Sequence, residues 1–226
     1  MNKILFFALL MIFAIGARAQ DWPNIGHYDN ANQKLQPAVT GKITAVYMGD
    51  SITDFWVNND SAFFAANNYV GRGISGQTTG QMLVRFRQDV INLKPKVVVI
   101  LAGINDIAQN NGPEKLEDIF GNIASMAELA KANHIKVIIS SVLPANKLPW
   151  RPAITPTVKV IQLNAMLKQY AVKNHFVYLD YYSKMANSEK GLPVNLAKDG
   201  IHPTLEGYKV MEPLAKKAIT EALKGR

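Results

Sequence analysis

The chain has 226 residues, of which 48% are hydrophobic and 19% charged, with a formal net charge of +8 and no cysteine. That balance belongs to a globular chain long enough for one sizeable core, and it argues against disorder, collagen-like repeats and coiled coil. Without cysteine, disulfide frameworks, thiolate zinc sites and cysteine nucleophiles are excluded.

The first element is a long apolar run. Lys3 precedes Ile4 to Ile15, and the stretch ends in Ala17-Arg18-Ala19, a small-x-small cleavage pattern. About 12 apolar residues at ~1.5 Å rise reach roughly 18 Å, short of a ~30 Å hydrocarbon core. Residues 1–19 therefore read as a removable signal peptide, and the mature protein is expected to be exported, periplasmic or extracellular, with no stable membrane insertion. The remaining basic residues are scattered, with pairs such as Lys216-Lys217 the densest. A solvated basic surface is expected, and no nucleic-acid partner.

Residues 20–40 are polar, with Pro23, Pro37 and several Asn, and show no sustained period. They read as an arm lying on the surface of one domain spanning 41–226. From there, short β-branched runs alternate with helical patterns, which argues for βα units and a parallel sheet. The expected strands are Ile43–Met48, Asn68–Gly71, Val97–Leu101, Lys136–Ser141 and Phe176–Leu179, largely continuous apolar runs that suit a sheet covered on both faces. Helical spacing of apolar residues predicts helices over Thr79–Asn92, Lys115–Asn133, Val158–Val172 and Thr204–Leu223. Pro144 to Pro156 holds four of the eleven prolines and should be a rigid loop. In an open parallel sheet, ligands bind beyond the carboxyl ends of the strands.

The loops at those ends carry the chemistry. After the first strand, Gly49-Asp50-Ser51-Ile52-Thr53 sets a serine at a strand-to-helix turn, where backbone amides favour an anion. After the second, Gly71-Arg72-Gly73-Ile74-Ser75-Gly76 is a G-x-G-x-x-G. The acidic residue that a dinucleotide site needs ~20 residues later is missing, since that region reads Leu93-Lys94-Pro95-Lys96, so no nucleotide cofactor is expected. After the third, Gly103-Ile104-Asn105-Asp106 offers an amide that can donate to a developing negative charge. Near the carboxyl end, Asp199-Gly200-Ile201-His202 sets a carboxylate three residues before an imidazole, close enough for one turn to bring it to Nδ1 and leave Nε2 as a base. A nucleophile, a base, an orienting carboxylate and oxyanion donors are what acyl transfer needs. His134 and His175 fall at helix-to-strand junctions at the opposite end of the sheet, and His27 in the arm. Asp50, Asp54 and Asp106 are not accompanied by a ligand cluster, so neither a metal nor an organic cofactor is expected.

These blocks resemble the SGNH hydrolases, also called the GDSL esterase family, over essentially the whole mature chain. Gly49-Asp50-Ser51 corresponds to the nucleophile block, with Ile52 where the family name has leucine. Gly73 corresponds to the glycine block, Gly103 to Asp106 to the G-x-N-D block and Asp199 to His202 to the D-x-x-H block. Gly73 to Thr79 and the Lys94-Pro95-Lys96 run are similar to the platelet-activating-factor acetylhydrolase-like and bacterial carbohydrate acetylesterase branches. The resemblance implies a three-layer α/β/α sandwich on a five-stranded parallel sheet with flavodoxin-like strand order. It implies Ser51 as nucleophile, His202 as general base and then acid, Asp199 as orienting carboxylate, and an oxyanion hole from the backbone N–H of Ser51 and Gly73 and the side chain of Asn105. The expected activity is hydrolysis of short acyl esters, foremost acetyl groups on a small-molecule or polysaccharide substrate, with Trp150 and Tyr182 offering flat faces to sugar rings. The alternatives are a lysophospholipase or thioesterase acting on lipid esters, and a non-catalytic glycan-binding module.

Overall fold

A computed structural model describes residues 21–35 and 42–225; the expected signal peptide lies outside the described residues. After a 3-10 turn at Ile25–Tyr28, the elements are α1 (Asp29–Leu35), β1 (Ala45–Gly49), α2 (Ser51–Asn59), α3 (Ser61–Asn67), β2 (Tyr69–Gly73), α4 (Thr79–Asp89), β3 (Val97–Leu101), α5 (Ile104–Ile107), α6 (Leu116–Ala132), β4 (Lys136–Ser140), α7 (Thr157–Lys173), β5 (Val177–Leu179), α8 (Tyr182–Met185) and α9 (Leu205–Leu223).

The five strands form one parallel sheet in the order β2-β1-β3-β4-β5, the flavodoxin-like order, whose reversal between β1 and β3 opens a crevice at the carboxyl ends of the strands. Every residue of β1, Ala45–Gly49, and of β3, an unbroken Val, Ile and Leu run, is buried, as expected of strands covered on both faces. Helices α4, α6 and α7 pack on one face, and α2 and α9 on the other, giving the expected three layers. No described helix is long and apolar enough to cross a membrane.

The long helices follow their apolar stripes. In α6, Ile119, Ile123, Met126, Ala127 and Ala130 are buried, each three or four residues from the next and so on one face. Helix α4 opens where the Gln81 side chain accepts the backbone N–H and hydroxyl of Thr78. At α9, the hydroxyl of Thr204 accepts the N–H of Gly207, a capping bond that supplies a partner for an amide the helix leaves free. The proline-rich stretch from Pro144 to Pro156 contains neither helix nor strand.

Two helices that the apolar pattern left undrawn, α1 and α2, matter most for the site. Helix α1 has a single buried residue, the polar Asn32, so it carries no apolar stripe. Residues 21–35 lie against the domain through polar contacts to α4 and to the end of β2.

Candidate active site

The register of the sheet brings the ends of three strands level, pairing Gly49 of β1 with Gly73 of β2 and with Leu101 of β3. Asp50 follows β1 and caps α2, its carboxylate accepting the N–H of Ile52 at 2.9 Å. Ser51 is thus the first residue of a helix, where backbone N–H groups lack intrahelical partners and the helix dipole favours negative charge. Its Oγ lies 2.9 Å from Nε2 of His202. Nδ1 of His202 lies 2.6 Å from Oδ2 of Asp199. The other oxygen of Asp199 accepts the backbone N–H of Ile201 and of His202 at 2.9 and 2.8 Å, so the one turn that spaces them also fixes the carboxylate. With Nδ1 donating to Asp199, Nε2 has its lone pair toward Ser51.

Partial burial pushes the Asp199 carboxyl up. Hydrogen bonds from the His202 ring and the backbone N–H of His202 and Ile201 outweigh that, holding it below the usual carboxylate range. The Tyr208 hydroxyl donates to the carbonyl of Ile52 at 2.8 Å, tying α9, which follows the histidine turn, to the serine helix.

Gly73 packs directly on that helix. A Cβ built there would stand 2.2 Å from the Asp54 nitrogen and 2.6 Å from the Asp50 carbonyl oxygen, distances no side chain tolerates, so only glycine lets the end of β2 approach Ser51. Gly103 takes a φ of 121°, a conformation open to glycine and strained for other residues, and from it α5 carries Asn105. The Asn105 amide is held at both ends. Nδ2 gives one of its two N–H groups to the Gln77 carbonyl at 3.0 Å, and Oδ1 accepts from Asn110 Nδ2 at 3.0 Å. Asn110 in turn accepts the indole N–H of Trp150 at 2.9 Å.

The mouth is aromatic. The rings of Phe55 and Trp150 lie 5.0 and 6.4 Å from the His202 ring, and these side chains are 37% and 39% exposed. Tyr182 packs instead against the hydrophobic core with its hydroxyl buried. Phe55 could have been found from its spacing, four residues after Ser51 on a helix. Asn110 and the buried Arg85 had no such signal. Arg85 sits under the site, donating to the Gly49 carbonyl at 3.0 Å and to Gln77 Oε1 at 2.6 Å, and pairing with Asp89 at 2.9 Å.

The other candidates have structural partners. Asp54 accepts the Ser75 hydroxyl and Asp106 the N–H and hydroxyl of Thr79. Burial pushes the Asp50 carboxyl up to about 7. His27 is exposed in the amino-terminal turn. His134 and His175 line a hollow with Lys131, Lys136 and Phe176 at the opposite, amino end of the strands. The four blocks expected to act together are therefore the ones the fold assembles.

A family model described as the GDSL-like lipase/acylhydrolase family matches residues 47–210. A GDSL-like lipase of known structure from Bacteroides thetaiotaomicron is 50% identical, with a TM-score of 0.86 over 88% of this chain and 98% of that one. Platelet-activating factor acetylhydrolase IB subunit alpha2 of Rattus norvegicus is 27% identical over 176 residues, 75% of this chain and 73% of its own. Acetylxylan esterase of Geobacillus stearothermophilus is 28% identical over 153 residues, 63% of this chain and 67% of its own. With the model spanning most of the described domain, the chain belongs to the GDSL-like lipase/acylhydrolase family.

Proposed function

We propose that the protein is an exported serine esterase that removes short acyl groups, foremost acetyl, from carbohydrate. The observation that carries the reading is the unbroken line from Asp199 through His202 to Ser51. Ser51 Oγ attacks the ester carbonyl carbon as its proton passes to His202 Nε2, and Asp199 stabilises the imidazolium. The oxyanion is received by the N–H groups of Ser51 and Gly73 and by the free N–H of the Asn105 side chain. His202 returns the proton to the departing alcohol, and a water activated by the same nitrogen hydrolyses the acyl-Ser51 ester. Donors fixed before the reaction act without reorganisation, which is what the clamped Asn105 amide supplies.

The preference for a small acyl group is supported by the burial around the nucleophile. Ser51 is only 7% exposed, and Asp50, Ile52 and Asn105 are more deeply buried. Two relatives carry names that refer to acetyl groups, one on a xylan and one on platelet-activating factor. The alcohol side opens on Trp150, an exposed flat ring hydrogen-bonded by its edge, and stacking on such a face suits a sugar ring. The export reading rests on Lys3, the run Ile4 to Ile15 and Ala17-Arg18-Ala19. The test is acetate release from acetylated xylan, pectin or sialic acid, which the reading predicts. Activity confined to lysophospholipid or long-chain acyl esters would overturn the carbohydrate assignment, and oligosaccharide binding without turnover of any activated ester would overturn the enzymatic one.

A further inference from the structure

The segment Trp22 to Asn32 is bound along its length by side chains of the catalytic domain. Gln81 and Gln77 donate to the carbonyls of Trp22 and Pro23 at 2.5 and 2.7 Å, and Gln88 to that of Ile25. Asn32, 5% exposed, accepts from Nε and Nη2 of Arg72 at 3.0 and 2.7 Å and donates to Asp89 at 2.8 Å. The Arg72 guanidinium lies 4.6 Å above the ring of Tyr28, and the Tyr28 hydroxyl donates to the carbonyl of Gly73.

Two of these contacts, from Tyr28 and from Asn32 through Arg72, converge on one backbone position. Gly73 has no side chain by which the fold could hold it, and its ladder partner Gly49 has none either. The peptide that follows Gly73 is fixed by two bonds: the Ile74 N–H to the Gly49 carbonyl at 3.2 Å, and the Gly73 carbonyl to Tyr28. On its other side, Arg72 is anchored by Asn32 and by its own bond to the Gly71 carbonyl at 2.7 Å. Burial pushes the Tyr28 phenol up to about 12, so its O–H remains a donor through the neutral range. The segment lies outside the residues the family model matches, which begin at Tyr47.

We infer that the amino-terminal segment is a strap that completes the active site, with Tyr28 a positioning residue that holds Gly73 in place as an oxyanion donor. The inference rests on the serine-esterase reading of Gly73. Catalytic donors act within a few tenths of an ångström, and a donor left to turn loses much of its contribution. The strap acts on the transition state and leaves ground-state binding alone.

The test is the full chain carrying Tyr28→Phe, which keeps the ring beneath Arg72 and removes only the donor, assayed with p-nitrophenyl acetate and with a trifluoromethyl ketone that adds to the serine as a transition-state mimic. The expected result is a fall in kcat of about tenfold, equivalent to ~1.4 kcal/mol, with KM within twofold, the ketone inhibition constant raised by the same factor and a Tm close to wild type. Gln88→Ala, which removes the bond to Ile25 and leaves Gly73 untouched, should keep the wild-type kcat. An unchanged kcat in Tyr28→Phe, a fall without the matching loss of ketone affinity, a Tm collapse, or an equal fall in Gln88→Ala would each overturn the role of Tyr28. A wild type inactive on every ester would overturn the esterase reading and the strap together, whereas an active wild type with an indifferent Tyr28→Phe overturns the strap alone.

Discussion

Ser51 and His202 stand 151 residues apart in sequence and 2.9 Å apart in space, the one at the end of the first strand and the other just before the last helix. Asp199 reaches the far side of the same ring from within a single turn. The two residues thus come from opposite ends of the domain's sequence, and the Tyr208 bond to Ile52 ties the two segments together.

Replacing Asp199 by Asn would present a donor to Nδ1. The imidazole would then carry its proton on Nε2, facing Ser51 with no lone pair to receive the hydroxyl proton. Turnover of p-nitrophenyl acetate at pH 7–8 should fall by about 10²–10⁴ with little change in KM, in line with the loss seen when a triad histidine is held in the wrong tautomer.

Asn105→Ala removes a proposed oxyanion donor and should lower kcat by about 10²–10³. Asn110→Ala leaves that donor present but frees its carbonyl end, and a smaller loss of roughly tenfold is expected, since an amide held at one end only spends part of its time turned away. Comparing kcat for the two variants on one activated ester checks the order.

At Gly73, an added methyl has nowhere to go, because the atoms it meets are backbone atoms of the Asp50–Asp54 turn. Gly73→Ala should force β2 and α2 apart. The cost of overpacking, about 1–3 kcal/mol or more, corresponds to a Tm lowered by roughly 2–12 °C in a domain of this size, and esterase turnover should be lost. Thermal melts alongside kinetics separate this case from Asn105→Ala, whose fold should survive.

The buried Asp50 carboxyl makes a pH-dependent contribution with a definite sign. Its folded-state pKa is raised by burial to about 7 against an ordinary value near 3.8. Between those values the folded chain binds more protons at this group than the unfolded chain, so its contribution to stability falls as pH rises from about 4 to about 7. Asp106, also raised by burial, adds to the same trend. Asp50→Asn keeps an oxygen to cap α2 and removes the ionisation. Its Tm relative to wild type should therefore climb from about pH 4 to about pH 7 and level off above that, and a difference independent of pH would contradict the assignment.

The parts of the fold held by apolar periodicity were legible before the structure. Val97–Leu101 is the same strand in both, and the stripes around Ile119, Leu167 and Met211 became buried helix faces. Strand β2 was drawn two residues short at its carboxyl end, because Arg72 and Gly73 break the apolar run even though both are buried. Ser51, Asp199, His202 and Asn105 were legible as candidates because their blocks follow strand ends or a single turn. Tyr28, Asn32, Arg85 and Asn110 were not, since each acts through polar side chains or backbone carbonyls whose spacing follows no apolar pattern. Such pairings leave no period. Helix α2 was expected to begin at the serine turn but its extent was not drawn, because Phe55, turned toward the site, interrupts the buried stripe of Ile52 and Trp56.

The most direct measurement is acetate release from p-nitrophenyl acetate and acetylated xylo-oligosaccharides by the wild type and by Ser51→Ala. The account predicts an active wild type and a folded variant reduced by at least about 10⁴-fold, as expected when the nucleophile of an acyl-transfer triad is removed. A variant within tenfold of wild type, or a folded wild type that releases acetate from none of these esters, would contradict it.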